Sequence, residues 1–144
     1  MICMYMKQAT EVRKEWSSYC DSIVHDKPQF VKRTRDKMCF SSFDTMLDIL
    51  SVYVFHAERF YEEDGSITLS LIEIDLVENA KTEEETLQLM AKSILDYSLE
   101  YYENYKMYSN SPNRKSHVPY VLKTLLLGNE QEIGENIVCQ NGKN

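Results

Sequence analysis

The sequence predicts an α+β fold, and three observations carry that prediction. Two stretches, residues 10–26 and 82–105, repeat apolar side chains every three or four positions, the period of an amphipathic helix. Between and before them lie short runs of β-branched and aromatic residues bounded by turn chemistry. With 4 Gly and 3 Pro but 10 Tyr in 144 residues, the chain is poor in breakers and rich in large amphipathic rings, which favours regular elements.

Taken in order, Val12, Trp16, Tyr19, Cys20, Ile23 and Val24 form the stripe of a first helix from Thr10, a plausible N-cap, to about Asp26. Lys27-Pro28 stops it, because the residue before proline is pushed out of the α region and proline donates no backbone bond. Phe30-Val31 and Met38-Cys39-Phe40 read as two short strands joined through the basic run Lys32, Arg33, Arg35 and Lys37. Ser42 caps a short helix carrying Phe43, Met46, Leu47, Ile49 and Leu50.

From about Val52 to Tyr61 the composition argues for a strand, followed by a turn at Glu63-Asp64-Gly65-Ser66. Ile67, Leu69 and Leu71 alternate with polar residues, and Ile72, Ile74 and Leu76 continue in the opposite phase, which implies a bulge or a break between strands. Thr82-Glu83-Glu84-Glu85 is a capping box whose carboxylates suit the positive end of a helix dipole. The stripe behind it, from Leu87 to Tyr105, predicts a five-turn helix packed across the preceding strands. Ser109 to Asn113 breaks that pattern. A shorter helix from about Val118 to Leu127 ends at Gly128, Glu130–Val138 adds a last helical turn or two, and Gln140–Asn144 is expected to be disordered.

The formal net charge is −7. It is unevenly spread: residues 1–47 hold eight basic and six acidic side chains, net +2, and the other 97 hold eight basic and seventeen acidic, net −9. An acidic chain meets a polyanion only through a local basic patch, and the densest is Lys32, Arg33, Arg35, Lys37. A solvated hairpin end is the bland reading of the same run. No apolar run reaches the roughly 18 residues of a membrane span, and charges at Lys7, Glu11 and Arg13 argue against a signal peptide, so a cytoplasmic protein with no membrane partner is expected.

Cys3, Cys20, Cys39 and Cys139 form no C-x-x-C pair and are expected as reduced, mostly buried side chains. His25, His56 and His117 are equally scattered, so no metal site and no cofactor is expected. Phosphate loops, nucleophile elbows and zinc-protease motifs are absent. His56 and Glu58 share a strand face and form the one candidate acid–base pair, for which a hydrogen-bonded surface histidine is the plainer reading. Glu62, Glu63 and Asp64 lack calcium-loop spacing. No catalytic residue is assigned.

The run from Ala9 to Leu50, with Val12, Arg13, Trp16 and Ile23, then Lys27-Pro28-Gln29-Phe30-Val31-Lys32-Arg33, Met38-Cys39-Phe40 and Ser42-Phe43-Asp44, resembles the Phd/YefM antitoxin N-terminal domain. The family's hairpin glycine is replaced here around Asp36-Lys37. Asp64 to Leu71, with Thr82-Glu83-Glu84-Glu85-Thr86 before a long helix, looks more distantly like the partial ribonuclease-H-like domain of HicB-type antitoxins. Together the halves look like Phd-like antitoxins of RelE-type toxins. The resemblance implies a homodimerising, operator-binding domain at 1–51, a HicB-like sheet and long helix at 52–108, and a linker with short helices and a tail at 109–144.

It further implies autoregulation through operator DNA and neutralisation of a RelE-like toxin of ribonuclease type. Arg13, Lys14, Lys32, Arg33 and Arg35 would meet DNA. Tyr120, Leu122, Leu125, Leu126, Glu130 and Glu132 would meet the toxin, the alternative being that the apolar helix at 118–127 packs onto the chain's own sheet. The rival reading is an acidic immunity or binding protein with no DNA-binding role.

Overall fold

The structure is a computed structural model that describes residues 5–143. Its chain separates into two compact units, Met1–Ile49 and Leu50–Asn144, and the α+β class is as predicted.

In the first unit a three-stranded sheet is ordered β1 (Met6–Gln8), β2 (Gln29–Arg33), β3 (Asp36–Phe40), with β2 parallel to β1 and antiparallel to β3. Helices α1 (Ala9–Lys14) and α2 (Trp16–His25) intervene, and α3 (Phe43–Ile49) closes the unit. The single helix expected over 10–26 is therefore two. Glu15, at φ −118° and ψ 35°, leaves the helical region between them. The helix begins two residues early, behind Gln8 rather than at a Thr10 cap. Strand pairing of Met6–Gln8 with Phe30–Lys32 fixes where the helix starts, and this non-local constraint outweighs a cap preference of about 1 kcal/mol. Ser42 behaves as expected, its Oγ accepting from the Thr45 amide at 3.2 Å.

Val12, Tyr19 and Val31 are the buried apolar side chains of this unit among the described residues, with Ala9 and Phe40 packed beside them. Trp16, Phe30, Met38 and Phe43 stay exposed, Trp16 by 50%.

The hairpin turn falls at Thr34-Arg35, because Arg33 pairs with Asp36 and Lys32 with Lys37. Asp36 and Lys37, where the turn glycine was expected to be replaced, are thus strand residues.

The second unit carries a four-stranded sheet ordered β6 (Val77–Ala80), β5 (Ile67–Leu71), β4 (Phe55–Tyr61), β7 (Ile137–Asn141). β4 is antiparallel to β5 and parallel to β7. Residues 50–52 form a 3-10 turn, so β4 starts three residues later than expected, at Phe55. Gly65, at φ +86°, allows the β4–β5 turn. The phase change after Leu71 is a break: residues 72–76 make a tight bend closed by the Leu71 amide on the Leu76 carbonyl at 2.8 Å, and β6 begins only at Val77.

Thr82 caps α4 (Glu83–Glu103), its Oγ1 accepting from the Glu85 amide at 3.1 Å. Asn104 interrupts the long stripe, and α5 (Tyr105–Ser109) follows as a separate turn. α6 (Val118–Leu127) ends at Gly128 with φ +74°, as the sequence predicts. α7 (Glu130–Glu135) is shorter than expected. Asn129 caps it, its Oδ1 accepting from the Glu132 amide at 2.8 Å, and it stops so that β7 can run beside β4. Gln140 and Asn141, expected in a disordered tail, pair with Glu58 and Arg59.

The core joins Phe55, Ala57, Leu69 and Leu71 of the sheet to Met90, Ala91 and Ile94 of α4, with Ile133 of α7 and Ile137 of β7 completing it. At about 1.5–3 kcal/mol for each large apolar side chain fully buried, this cluster dominates the unit. Cys39 is exposed and Cys20 and Cys139 are half-buried, so these thiols are less buried than expected; Cys3 lies outside the described residues. Among the described residues no helix is long and apolar enough to cross a membrane.

Thr34 occupies the left-handed region at φ +57°, a poor conformation for a β-branched residue. Thr34→Gly should raise the stability of the first unit by about 1 kcal/mol. Denaturation followed by Trp16 fluorescence, specific to this unit because the chain has one Trp, would show a higher midpoint; a lower one would contradict the strain.

Candidate functional site

Side-chain alternation along β2 sorts the basic residues of the first unit. Val31 points to the helices, as do Met38 and Phe40, whereas Lys32 and its register partner Lys37 lie on the opposite face with Phe30. Two like charges directly opposed across a strand pair repel one another. Arg33 points the other way and meets Asp36 at 3.2 Å, both side chains well exposed. Arg35 stands at the turn. Arg13 borders an open apolar cleft of about 470 Å³ with Trp16, Met38 and Phe40, and Lys14 is exposed at the end of α1. The five residues expected to meet DNA therefore divide: Lys32 is on the outer sheet face, Arg33 and Arg35 at the hairpin end, Arg13 at the helix-side cleft and Lys14 at the end of α1. Lys37, part of the basic run but outside the set expected to meet DNA, completes the basic hairpin end.

The His56–Glu58 pairing is replaced by another. Glu73 accepts from the His56 amide at 2.6 Å through Oε1 and lies 2.8 Å from His56 Nδ1 through Oε2. The bend at 72–76 brings this carboxylate back over the start of β4, a proximity that strand alternation alone does not reveal. Its effect is to pin the bend to β4.

Arg59 donates from Nε to Glu83 at 2.8 Å and from Nη1 to Asn141 at 2.9 Å, joining β4 to the start of α4 and the end of β7. The carboxylate beside it raises the guanidinium above its ordinary pKa. Of the three glutamates opening α4, Glu83 is thus engaged with β4 and Glu85 sits at the N3 position of the cap, whereas Glu84 is exposed.

α6 packs against α4, and its Val121 and Thr124 are fully buried. Tyr120 lies against Tyr53 and Phe55, with ring centroids 5.4 and 5.3 Å apart. Lys123, only 7% exposed, donates to the Tyr53 carbonyl at 3.0 Å, and burial lowers its amine below the usual lysine range. Leu122, Leu125 and Leu126 are half-buried. The expected apolar helix is therefore part of this unit's own packing, chiefly on α4 rather than on the sheet. Glu130 and Glu132 are exposed.

Between α4 and α7 lies an open groove of about 480 Å³. Its floor is Leu87, Ala91 and Gly134, its edges are the exposed Glu84, Glu130 and Glu135, and no cationic side chain lines it.

At the start of α6 the Tyr97 hydroxyl and His117 Nδ1 are 2.7 Å apart. Burial, reinforced by Arg114 and opposed by Asp75, lowers the His117 pKa and so favours the neutral ring. As pH falls below the ordinary value of 6.5 the unfolded chain takes up this proton first. Stability is therefore intact above about pH 6.5 and declines as pH drops towards the lower folded-state value. His117→Gln should flatten that decline; denaturation midpoints between about pH 7.5 and 5.5 that fall equally in both proteins would refute the assignment.

Residues 3–139 match a family model described as PHD-like, antitoxin of toxin-antitoxin, RelE/RelB, TA system. A crystal structure from Syntrophomonas wolfei subsp. wolfei, described as the antitoxin part of a proposed toxin/antitoxin system, is 39% identical. The similarity covers 96% of this chain and 100% of that one, with a TM-score of 0.88. No curated protein matches. The match over nearly the whole chain places the protein in the PHD-like antitoxin family of RelE/RelB toxin–antitoxin systems.

Proposed function

We propose that the protein is a cytoplasmic, DNA-binding homodimeric antitoxin that represses its own operon and neutralises a RelE-like ribonuclease toxin by binding it, without catalysing a reaction. The first unit takes the Phd/YefM-type role and the second a HicB-like one. The observation that carries the DNA-binding part is the register of Lys32 against Lys37. Opposed ammonium groups at a hairpin end are relieved by an anion, and a two-stranded ribbon fits the DNA major groove. Arg35 at the turn and Arg33, whose exposed pair with Asp36 is worth at most about 1 kcal/mol, extend the patch. Arg13 and Lys14 join it only if the duplex also reaches the α1 side.

Because the first unit buries few large side chains and leaves Trp16, Phe30, Met38 and Phe43 exposed, a second copy supplies the missing cover. The dimer doubles the basic patch. For the toxin, carboxylates of the acidic second unit match the basic surface that any RNA-cutting enzyme needs to hold phosphates. Within the region expected to contact it, Glu130 and Glu132 are exposed, Leu122, Leu125 and Leu126 contribute only their free edges, and Tyr120 is occupied internally.

Titration of a fragment of the protein's own promoter at several salt concentrations tests the first part. Lys32→Ala with Lys37→Ala should reduce the slope of log K against log salt by about 0.9 for each phosphate that is no longer neutralised. Failure of the wild-type protein to bind the fragment at any salt concentration would instead favour an acidic binding protein with no DNA role. Sedimentation at micromolar concentration should give a dimer; a monomer there would remove the homodimer.

A further inference from the structure

We infer that the groove between α4 and α7 is the docking site for a positively charged, apolar-faced segment of the cognate toxin. The inference rests on the antitoxin reading and adds to it a location and a chemistry. The floor supplies apolar contact chiefly through the half-buried Leu87; Ala91 is almost fully buried beneath it, and Gly134 brings the α7 backbone close to α4 without a side chain between them. A Cβ on Gly134 would stand 3.8 Å from the Ala91 Cβ, so the glycine keeps the floor open rather than preventing a clash. Glu84 stands along one edge and Glu130 and Glu135 along the other, all exposed.

Three carboxylates around an apolar floor, with no cation lining it, match one kind of occupant, a helix or strand with apolar side chains facing inward and Lys or Arg at its margins. Lys92 feels Glu130, but its ammonium group is held by Asp96 at 2.8 Å on the next turn of α4. Gln131 donates to Glu135 at 3.3 Å, a long bond between exposed groups that leaves the carboxylate available. Glu83 is excluded from the set because Arg59 already holds it. A toxin whose basic segment occupies this groove cannot present that segment to RNA phosphates, which makes the same contact inhibitory.

The test uses the full chain and the purified product of the reading frame next to its own, with affinity measured at low and high salt. Wild-type should bind, more weakly as salt rises. Glu84→Lys with Glu130→Lys should weaken binding by about tenfold or more. Glu62→Lys with Glu63→Lys, which makes the same charge change at the β4–β5 turn, should alter it by less than about threefold. If the groove reversals unfold the protein, Glu84→Gln with Glu130→Gln keeps the question open to measurement, with a smaller loss in the same direction. Wild-type binding with equal affinity for groove and turn variants overturns the groove assignment and leaves the antitoxin reading standing. Failure of the wild-type protein to bind its neighbour overturns the reading itself.

Discussion

The parallel pairing of β7 with β4 is the constraint on which the second unit depends. Parallel neighbours cannot be joined by a tight turn, so after β5 and β6 on one side of β4 the chain has to cross over to reach β7 on the other. The longest element of that crossover is α4, which lies across β5 and β6 and presents Met90, Ala91 and Ile94 to the sheet. α6 and α7 then cover α4, and Ile133 and Ile137 complete the core from the far end of the sequence. Arg59 reinforces the arrangement by linking the central strand to both the beginning of the crossover and its end. The α4–α7 groove is a by-product of the closure, since α7 must approach α4 before the chain can enter β7.

The first unit is built on a different balance. Its sheet has three short strands, and the helices cover one face while Phe30, Lys32 and Lys37 occupy the other. A unit of this size buries too little apolar surface to be comfortable alone, and the exposed Trp16, Met38 and Phe43 are the visible remainder. The same economy leaves the hairpin end free of covering elements, where closely spaced cations remain in water.

Charge follows this division. The chain's excess of carboxylates lies mainly in the second unit, and several of them serve the fold: Glu73 pins a bend, Glu83 holds Arg59, and Glu85 occupies a capping position. Glu84, Glu130 and Glu135 are exposed at the edges of a groove. The carboxylates that serve the fold are thus separate from those left exposed at the groove.

Local chemistry in the sequence determined the elements whose boundaries local chemistry controls. Lys27-Pro28 ended the second helix, Ser42 and Thr82 capped theirs, and Gly65 and Gly128 took the positive φ angles that their turns require. The basic hairpin was legible because its cations are adjacent in the chain. Tertiary structure decided what depends on distant partners. β1 set the start of the first helix through a pairing more than twenty residues away, and β7 drew Gln140 and Asn141 out of an expected tail. Glu73 displaced Glu58 as the partner of His56, and the apolar face of α6 was spent on α4. The groove was invisible for the same reason: Glu84 and Glu130 are far apart in sequence, and only the approach of α7 to α4 puts them on opposite edges of one cleft. Periodicity reports which face of an element is apolar, whereas the identity of the surface that covers it is fixed by long-range packing.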